Sequence, residues 1–424
     1  MNKTEKTASI IPSAPLALFD PEPLLAAAAL IETTKDLARF LDSVVDSDVF
    51  CVDTESAGFF RYHATVNLIQ VSTRHRAAII DPQAMNDFSP FRDFPKRSSC
   101  QWVFHGSEYD ARELHKFLGL EIPTLFDTRL AAEMAGLDEL GMSPLAKRFL
   151  GFSLDKKLQR CDWSRRPLTP GMKRYGLLDA ICLVPLRDFL TEELRRCGRL
   201  EWAEEEFAIL AKEARHAVDP EKNPFQFIIK GASRMPPRNL AILKEVWTLR
   251  EQIAKSINRA PFMVVNNQVL LDIARQAPKS FAGLTTISQL GHEFLLRHGK
   301  ELQMAIKRGI EGDPVRRPLS TRPEKRFPTL TCWEAELCHA LREARDHFAD
   351  RLHIAPSMLA SSRVMFELAC SRPNTIEGMS QIAELRHWQT ALLGEEFLGV
   401  LKKAQPPAKP PGRRHRRRRT SQPM

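Results

Sequence analysis

The sequence predicts an α/β domain with a mixed sheet, followed by two all-α domains that repeat one another. Three observations carry this. Short apolar, strand-like runs crowd residues 48–105 and then give way to helical patterns up to about residue 195. Strand signals stop after about residue 225. Residues 260–287 lie on residues 355–382 at a shift of 95 with no gap.

Along the chain, residues 1–24 read as a loosely ordered lead-in and 25–200 as the α/β domain. The Ala- and Leu-rich run 23–31 lacks the basic flank of a signal peptide and reads as a helix on the body. Strands are expected at 48–56, 65–72, 76–81 (ending at the Pro82 turn) and 101–105. Helices are expected at 109–118, 128–135, 144–150 and 170–195. Residues 201–235 form a connecting helix and linker, and 236–311 the first helical domain. A Pro- and Arg-rich linker spans 312–329, the second helical domain 330–402, and a basic tail 403–424. In the repeat, Ala260/Ala355, Pro261/Pro356, Met263/Met358, Val269/Val364, Ala274/Ala369, Pro278/Pro373, Gly283/Gly378 and Ile287/Ile382 are identical. Chance matching at roughly one in twenty would give one or two identities over such a span, so the two blocks are related.

Composition narrows the class. The net charge is +10, but nine Lys or Arg and no acid follow Leu401, so the body is left at about +1. The tail cannot bury a core and is expected to be disordered, attracting phosphates without reading sequence. Eight cysteines include no Cys-x-x-Cys pair. They form neither a zinc pattern nor a compact disulfide framework, and read as free thiols of a cytoplasmic protein. No run approaches the roughly 20 apolar residues of a membrane span, so no membrane partner is expected.

The chemistry is sought in acids. Asp53 and Glu55 close a strand-like run, and positions i and i+2 of a strand share a face. Two carboxylates side by side with no neighbouring cation suit Mg²⁺ or Mn²⁺, which take hard oxygen ligands. Asp110 follows an apolar strand and a turn, in the first turn of a helix, where an acid also complements the helix dipole. Tyr175 and Asp179 stand at i and i+4 on one helix face, just before an apolar stretch. Two-metal hydrolysis of a phosphodiester needs about four carboxylates and a group that aims the attacking water. The set of four acids and a tyrosine is far more specific than any member.

Asp53-x-Glu55, His105 with Asp110, and Tyr175-x-x-x-Asp179 resemble the three motifs of the DEDD exonucleases in their tyrosine-bearing branch. Leu68-Ile69-Gln70-Val71, Phe126-Asp127-Thr128 and the Asp162-Trp163-Ser164-Arg165-Arg166-Pro167-Leu168 segment resemble ribonuclease D. The helical repeats, with Ile229-Lys230-Gly231 ahead of the first, resemble HRDC modules. The resemblance implies a ribonuclease H-like fold and 3′→5′ hydrolysis of RNA to nucleoside 5′-monophosphates. It implies two divalent ions (Mg²⁺ or Mn²⁺) held by Asp53, Glu55, Asp110 and Asp179, with Tyr175 and Glu55 orienting the water. It implies as substrate the 3′ ends of structured RNAs, notably tRNA precursors, and gives Asp127 a structural role. Lys147, Arg148, Lys156, Lys157, Arg160, Arg165 and Arg166 cluster ahead of the Tyr175 helix and are expected to line a nucleic-acid groove, a solvated surface being the plain alternative. Two other readings stand beside it: a DNA 3′→5′ exonuclease using the same residues, and a non-catalytic RNA-binding adaptor built from the helical modules and the basic tail.

Overall fold

The computed structural model describes residues 19–63, 65–216, 225–316 and 330–404. The chain divides into two compact units, residues 1–321 and 322–424. The tail expectation lies outside the described residues.

The first unit opens with α1 (Glu22–Ala27), β1 (Ala29–Ile31) and α2 (Thr34–Asp42). The run 23–31 is therefore not one helix. Its Ala-rich half is helical, but Ala29, Leu30 and Ile31 pair in parallel with Ala78, Ile79 and Ile80. Edge pairing with a buried neighbour overrides local propensity there. Next come β2 (Val49–Ser56), β3 (Val66–Ser72), β4 (Ala77–Ile80), α3 (Ser89–Arg97), β5 (Gln101–Phe104), α4 (Glu108–Leu118), β6 (Leu125–Asp127) and α5 (Thr128–Met134). The six strands form one sheet in the order β1-β4-β3-β2-β5-β6. It is mixed: β2 runs antiparallel to β3, and β3 to β4, while β2, β5 and β6 are parallel.

Both faces of the sheet are covered, which is why β3 and β4 are buried at every position. On one face Phe50 of β2 and Trp102 of β5 pack at 4.8 Å, with Phe91 and Phe94 of α3 over them. The other face receives the long helical segment expected at 170–195. It is preceded by α6 (Met142–Leu145), which widens into a π turn (Ala146–Leu150). The segment itself is two helices, α7 (Pro170–Ile181) and α8 (Leu183–Arg196), joined at Cys182. Pro185 has no N–H to return to Ile181, so it suits the first turn of a new helix rather than the middle of one. α9 (Leu200–Arg215) then packs against β6 and α4.

The first helical module comprises α10 (Pro237–Ser256), α11 (Pro261–Val264), α12 (Asn267–Gln276), α13 (Phe281–Thr285) and α14 (His292–Glu311). The second unit, taken by itself, comprises α15 (Cys332–Leu352), α16 (Pro356–Leu359), α17 (Ser362–Ser371), α18 (Ile376–Met379) and α19 (His387–Lys403). Every helix of the second set begins 95 residues after its counterpart, so the sequence repeat is a structural one. Equivalent positions do equivalent work. Asn266 and Ser361 cap α12 and α17 by accepting from Val269 N (3.0 Å) and Val364 N (3.2 Å). The buried guanidiniums of Arg250 and Arg345 hold the carbonyls of Val265 and Ala360. Among the described residues no helix is long and apolar enough to cross a membrane, and all eight cysteines are free.

Gly309 of α14 lies directly against α10: a Cβ there would sit 2.4 Å from Ile242 Cα. Gly309→Ala must push the two helix backbones apart rather than move a side chain. It is expected to destabilise the first module by about 1–3 kcal/mol, read as a lower calorimetric unfolding midpoint. An unchanged midpoint would show that the helices separate without cost.

Candidate active site

Period-two geometry places Asp53 and Glu55 of β2 on the face covered by α7. Asp53 lies opposite Gln70 of β3 and Glu55 opposite Leu68, and the register shifts just after Glu55. α7 is capped by Thr169, which accepts from Met172 N (3.2 Å), with Pro170 in its first turn. Gly176 lets this helix descend onto the sheet, since a Cβ there would lie 2.7 Å from Gln70 Nε2. The descent brings Asp179 to the strand acids. Asp53, Glu55 and Asp179 each offer a ligand atom, all within 4.8 Å of one another. Asp110 comes from the first turn of α4, and its carboxylate accepts from the Thr54 hydroxyl.

Electrostatics follow from this crowding. Burial, then the charges of Asp179, Asp110 and Glu55, raise Asp53 well above the usual carboxylate range. Burial, with Asp179 and Asp110 adding to it, pushes Glu55 up to about 9. Burial pushes Asp179 up to about 7 against the hydrogen bond from Tyr175, and Asp110 up to about 6 against that from Thr54. Tyr175 is raised too, by burial and by the same acids, so its phenol stays protonated. Three neighbouring cations are engaged elsewhere: Arg61 with Asp162 at 3.0 Å, Arg112 with Glu113 at 3.8 Å, and Arg166 with Asp81. A set of carboxylates that repel one another, with no side-chain cation bonded to them among the described residues, fits a hard divalent ion.

The surroundings pack and hydrogen-bond around this arrangement. Trp163 is fully buried and its ring lies 5.9 Å from that of Tyr175. Asp127, also buried, accepts from Gly106 N, Ser107 N, Arg129 N and Leu130 N, tying the turn before α4 to the start of α5. Thr128 donates to Phe104 O, so the 3.0 Å contact to Thr128 Oγ1 makes His105 Nδ1 the donor. Burial drives the His105 imidazole down to about 4, which keeps it neutral. His105, Arg129, Ser143 and Gln159 join Asp53, Tyr175 and Asp179 in walling a cleft of about 330 Å³.

The structure thus gathers Asp53, Glu55, Tyr175 and Asp179, with Asp110 alongside. The basic cluster is less uniform. Lys147, Lys157 and Arg160 are exposed, and Arg165 is exposed with a 3.6 Å contact to Asp162. Arg148 lies over the Phe149 ring. Arg166 does not belong with them. Its donors are used on Asp81, Asn67 O, Trp163 O and Arg165 O, which makes it a clamp between the Trp163 segment and the sheet rather than a phosphate contact. Sequence reasoning missed Arg129. Its one signal is its place in a helix's first turn, directly after Asp127-Thr128.

A mixed six-stranded sheet with clustered acids at the end of β2 and on a crossing helix defines a hydrolase of the 3′-5′ exonuclease class. Residues 28–195 match the 3′-5′ exonuclease family model, and residues 239–306 and 334–401 each match the HRDC domain. Ribonuclease D of Acidiphilium cryptum is 29% identical over 383 residues, covering 89% of this chain and 94% of that protein. Ribonuclease D of Sphingobium indicum is 30% identical over 299 residues, covering 68% and 76%. The chain belongs to the ribonuclease D family: it is a ribonuclease D-like 3′-5′ exoribonuclease with two HRDC domains. Solved structures agree on the fold, which is of the ribonuclease H-like kind. A Bifidobacterium adolescentis protein gives a TM-score of 0.73 at 23% identity, covering 89% of this chain and 97% of that one. Escherichia coli RNase D gives 0.58 at 23%, covering 88% and 98%.

Proposed function

We propose that the chain trims the 3′ ends of structured RNAs, tRNA precursors among them, releasing nucleoside 5′-monophosphates by a two-metal mechanism. The observation that carries this is the convergence of Asp53, Glu55 and Asp179 within 4.8 Å, with Asp110 held beside them. Asp53, Glu55, Asp110 and Asp179 would hold two Mg²⁺ or Mn²⁺ ions. When bound, such a pair clamps the scissile phosphate and stabilises the attacking and leaving oxygens. Tyr175 keeps its proton and hydrogen-bonds to Asp179, so its role is to orient the attacking water with Glu55 rather than to act as a base. Lys147, Arg148, Lys157 and Arg165 supply positive charge beside the cleft for the RNA backbone, and Lys156 adjoins them in sequence. The names of the relatives support RNA as substrate, and the Escherichia coli enzyme is described as an exoribonuclease involved in structured RNA processing.

Asp53→Ala is expected to stop shortening of a 3′-tailed RNA, and a chelator to do the same to the unaltered chain. Hydrolysis persisting under either condition, followed by release of a 3′ label, would overturn the assignment of the metal site.

A further inference from the structure

Where β2 ends at Ser56, the chain makes a tight turn that the first HRDC module grips. Phe60 N and Arg61 N both donate to Ala57 O, at 2.7 and 2.9 Å. Arg61 is tied back to Asp162 and Ser164. From the module's side, Ala260 N donates to Phe60 O at 3.0 Å, and Asn258 Oδ1 accepts from His63 N at 3.2 Å. On this pinned turn Phe59 leaves 56% of its surface in water. It meets Phe262 of α11, itself 46% exposed, with ring centroids 5.1 Å apart. Large apolar rings exposed in pairs, on a backbone fixed from two sides, mark a contact surface rather than unfinished core.

We propose that Phe59 and Phe262 form a stacking step for unpaired bases of the RNA strand whose 3′ end occupies the cleft. The proposal rests on the exonuclease reading above. Phe59 follows Glu55 by four residues, a reach of at most about 14 Å of chain. A strand held at the acids therefore meets the step within a few nucleotides. Phenyl rings offer neither charge nor hydrogen bonds, so they stack on any base alike. That suits an enzyme that meets every base in turn. Bases inside a duplex already have both faces covered, so the step selects single-stranded 3′ tails over paired ends. Because one ring comes from the nuclease and the other from the HRDC module, the module contributes directly to the substrate path.

The test is binding of a ten-nucleotide single-stranded RNA to the full-length Asp53→Ala chain, which leaves the strand intact. Adding Phe59→Leu and Phe262→Leu keeps apolar bulk at the junction but removes the aromatic faces, and is expected to weaken binding about tenfold or more. Phe59→Trp with Phe262 unchanged should retain affinity. A strand with abasic positions near its 3′ end should bind the aromatic and leucine forms equally. Equal affinity of both forms for the intact strand overturns the proposal, as does an undiminished loss on the abasic strand, which would assign the rings to packing alone. Hydrolysis of the same strand by the unaltered chain reports separately on the exonuclease reading.

Discussion

Asp179→Asn is expected to lower exonuclease turnover on the order of a thousandfold or more, and at the same time to raise the melting temperature of the metal-free protein. Both effects come from the same geometry. Asp179, Asp53 and Glu55 share a space only 4.8 Å across, and burial pushes Asp179 up to about 7 and Glu55 up to about 9. A carboxyl whose folded pKa exceeds its unfolded one is held protonated by the native state. Its contribution to stability is full below the unfolded value near 4 and is lost as pH rises through the folded value. In the metal-free protein the fold therefore weakens from pH 4 to 7 through Asp179, and on towards pH 9 through Glu55. For Asp179 this amounts to at most about 4 kcal/mol at high pH, at roughly 1.36 kcal/mol per pKa unit. Asparagine does not titrate and escapes the loss. Melting followed by circular dichroism in chelator should show the variant ahead of the parent by more at about pH 8 than at about pH 5.5. Added Mn²⁺ should close the gap by stabilising the parent. A gap that does not widen with pH would mean that burial does not hold Asp179 protonated in the metal-free fold.

Asp127→Ala is expected to be the most destabilising single change outside the apolar core, on the order of 3–5 kcal/mol. Asp127 is 3% exposed. Its Oδ1 accepts from Gly106 N at 2.9 Å, Arg129 N at 2.9 Å and Leu130 N at 3.2 Å, and its Oδ2 from Ser107 N at 2.7 Å and Ser107 Oγ at 2.8 Å. Alanine strands four backbone N–H groups where water cannot readily replace the acceptor. The damage is directional, because those groups set the turn from which α4 starts and so the position of Asp110. Urea unfolding should show the lost stability, and hydrolysis under fully folded conditions should fall as well. A variant with near-parental stability would show that water substitutes for the carboxylate.

Much of the site could be read before any fold was known. The Asp53 and Glu55 pairing needs only the alternation of a strand, and the Tyr175 and Asp179 pairing only the pitch of a helix. The HRDC repeat was equally plain, because Pro, Gly and cap residues recur at one spacing and act locally. Other features escaped for a physical reason. β1 and β6 have three residues each, too few for a period to show, and β1 exists only because β4 offers an edge. The break at Cys182 was masked by an apolar run that continues smoothly across it. Arg166 looked like its basic neighbours because a side chain's charge does not disclose its partner.

What the sequence by itself determined, then, is the set of groups that local geometry aligns: the acid pair, the tyrosine a turn before Asp179, and the order of modules. The tertiary structure alone decided how close α7 comes to the sheet through Gly176, which acids share one space, and that Arg166 is a clamp. It alone placed Phe59 against Phe262, residues 203 positions apart. Helices and strands are repeated by their own backbone bonds, so their faces can be read from spacing. Contacts between elements depend on which surfaces pack together, and no spacing along the chain encodes that.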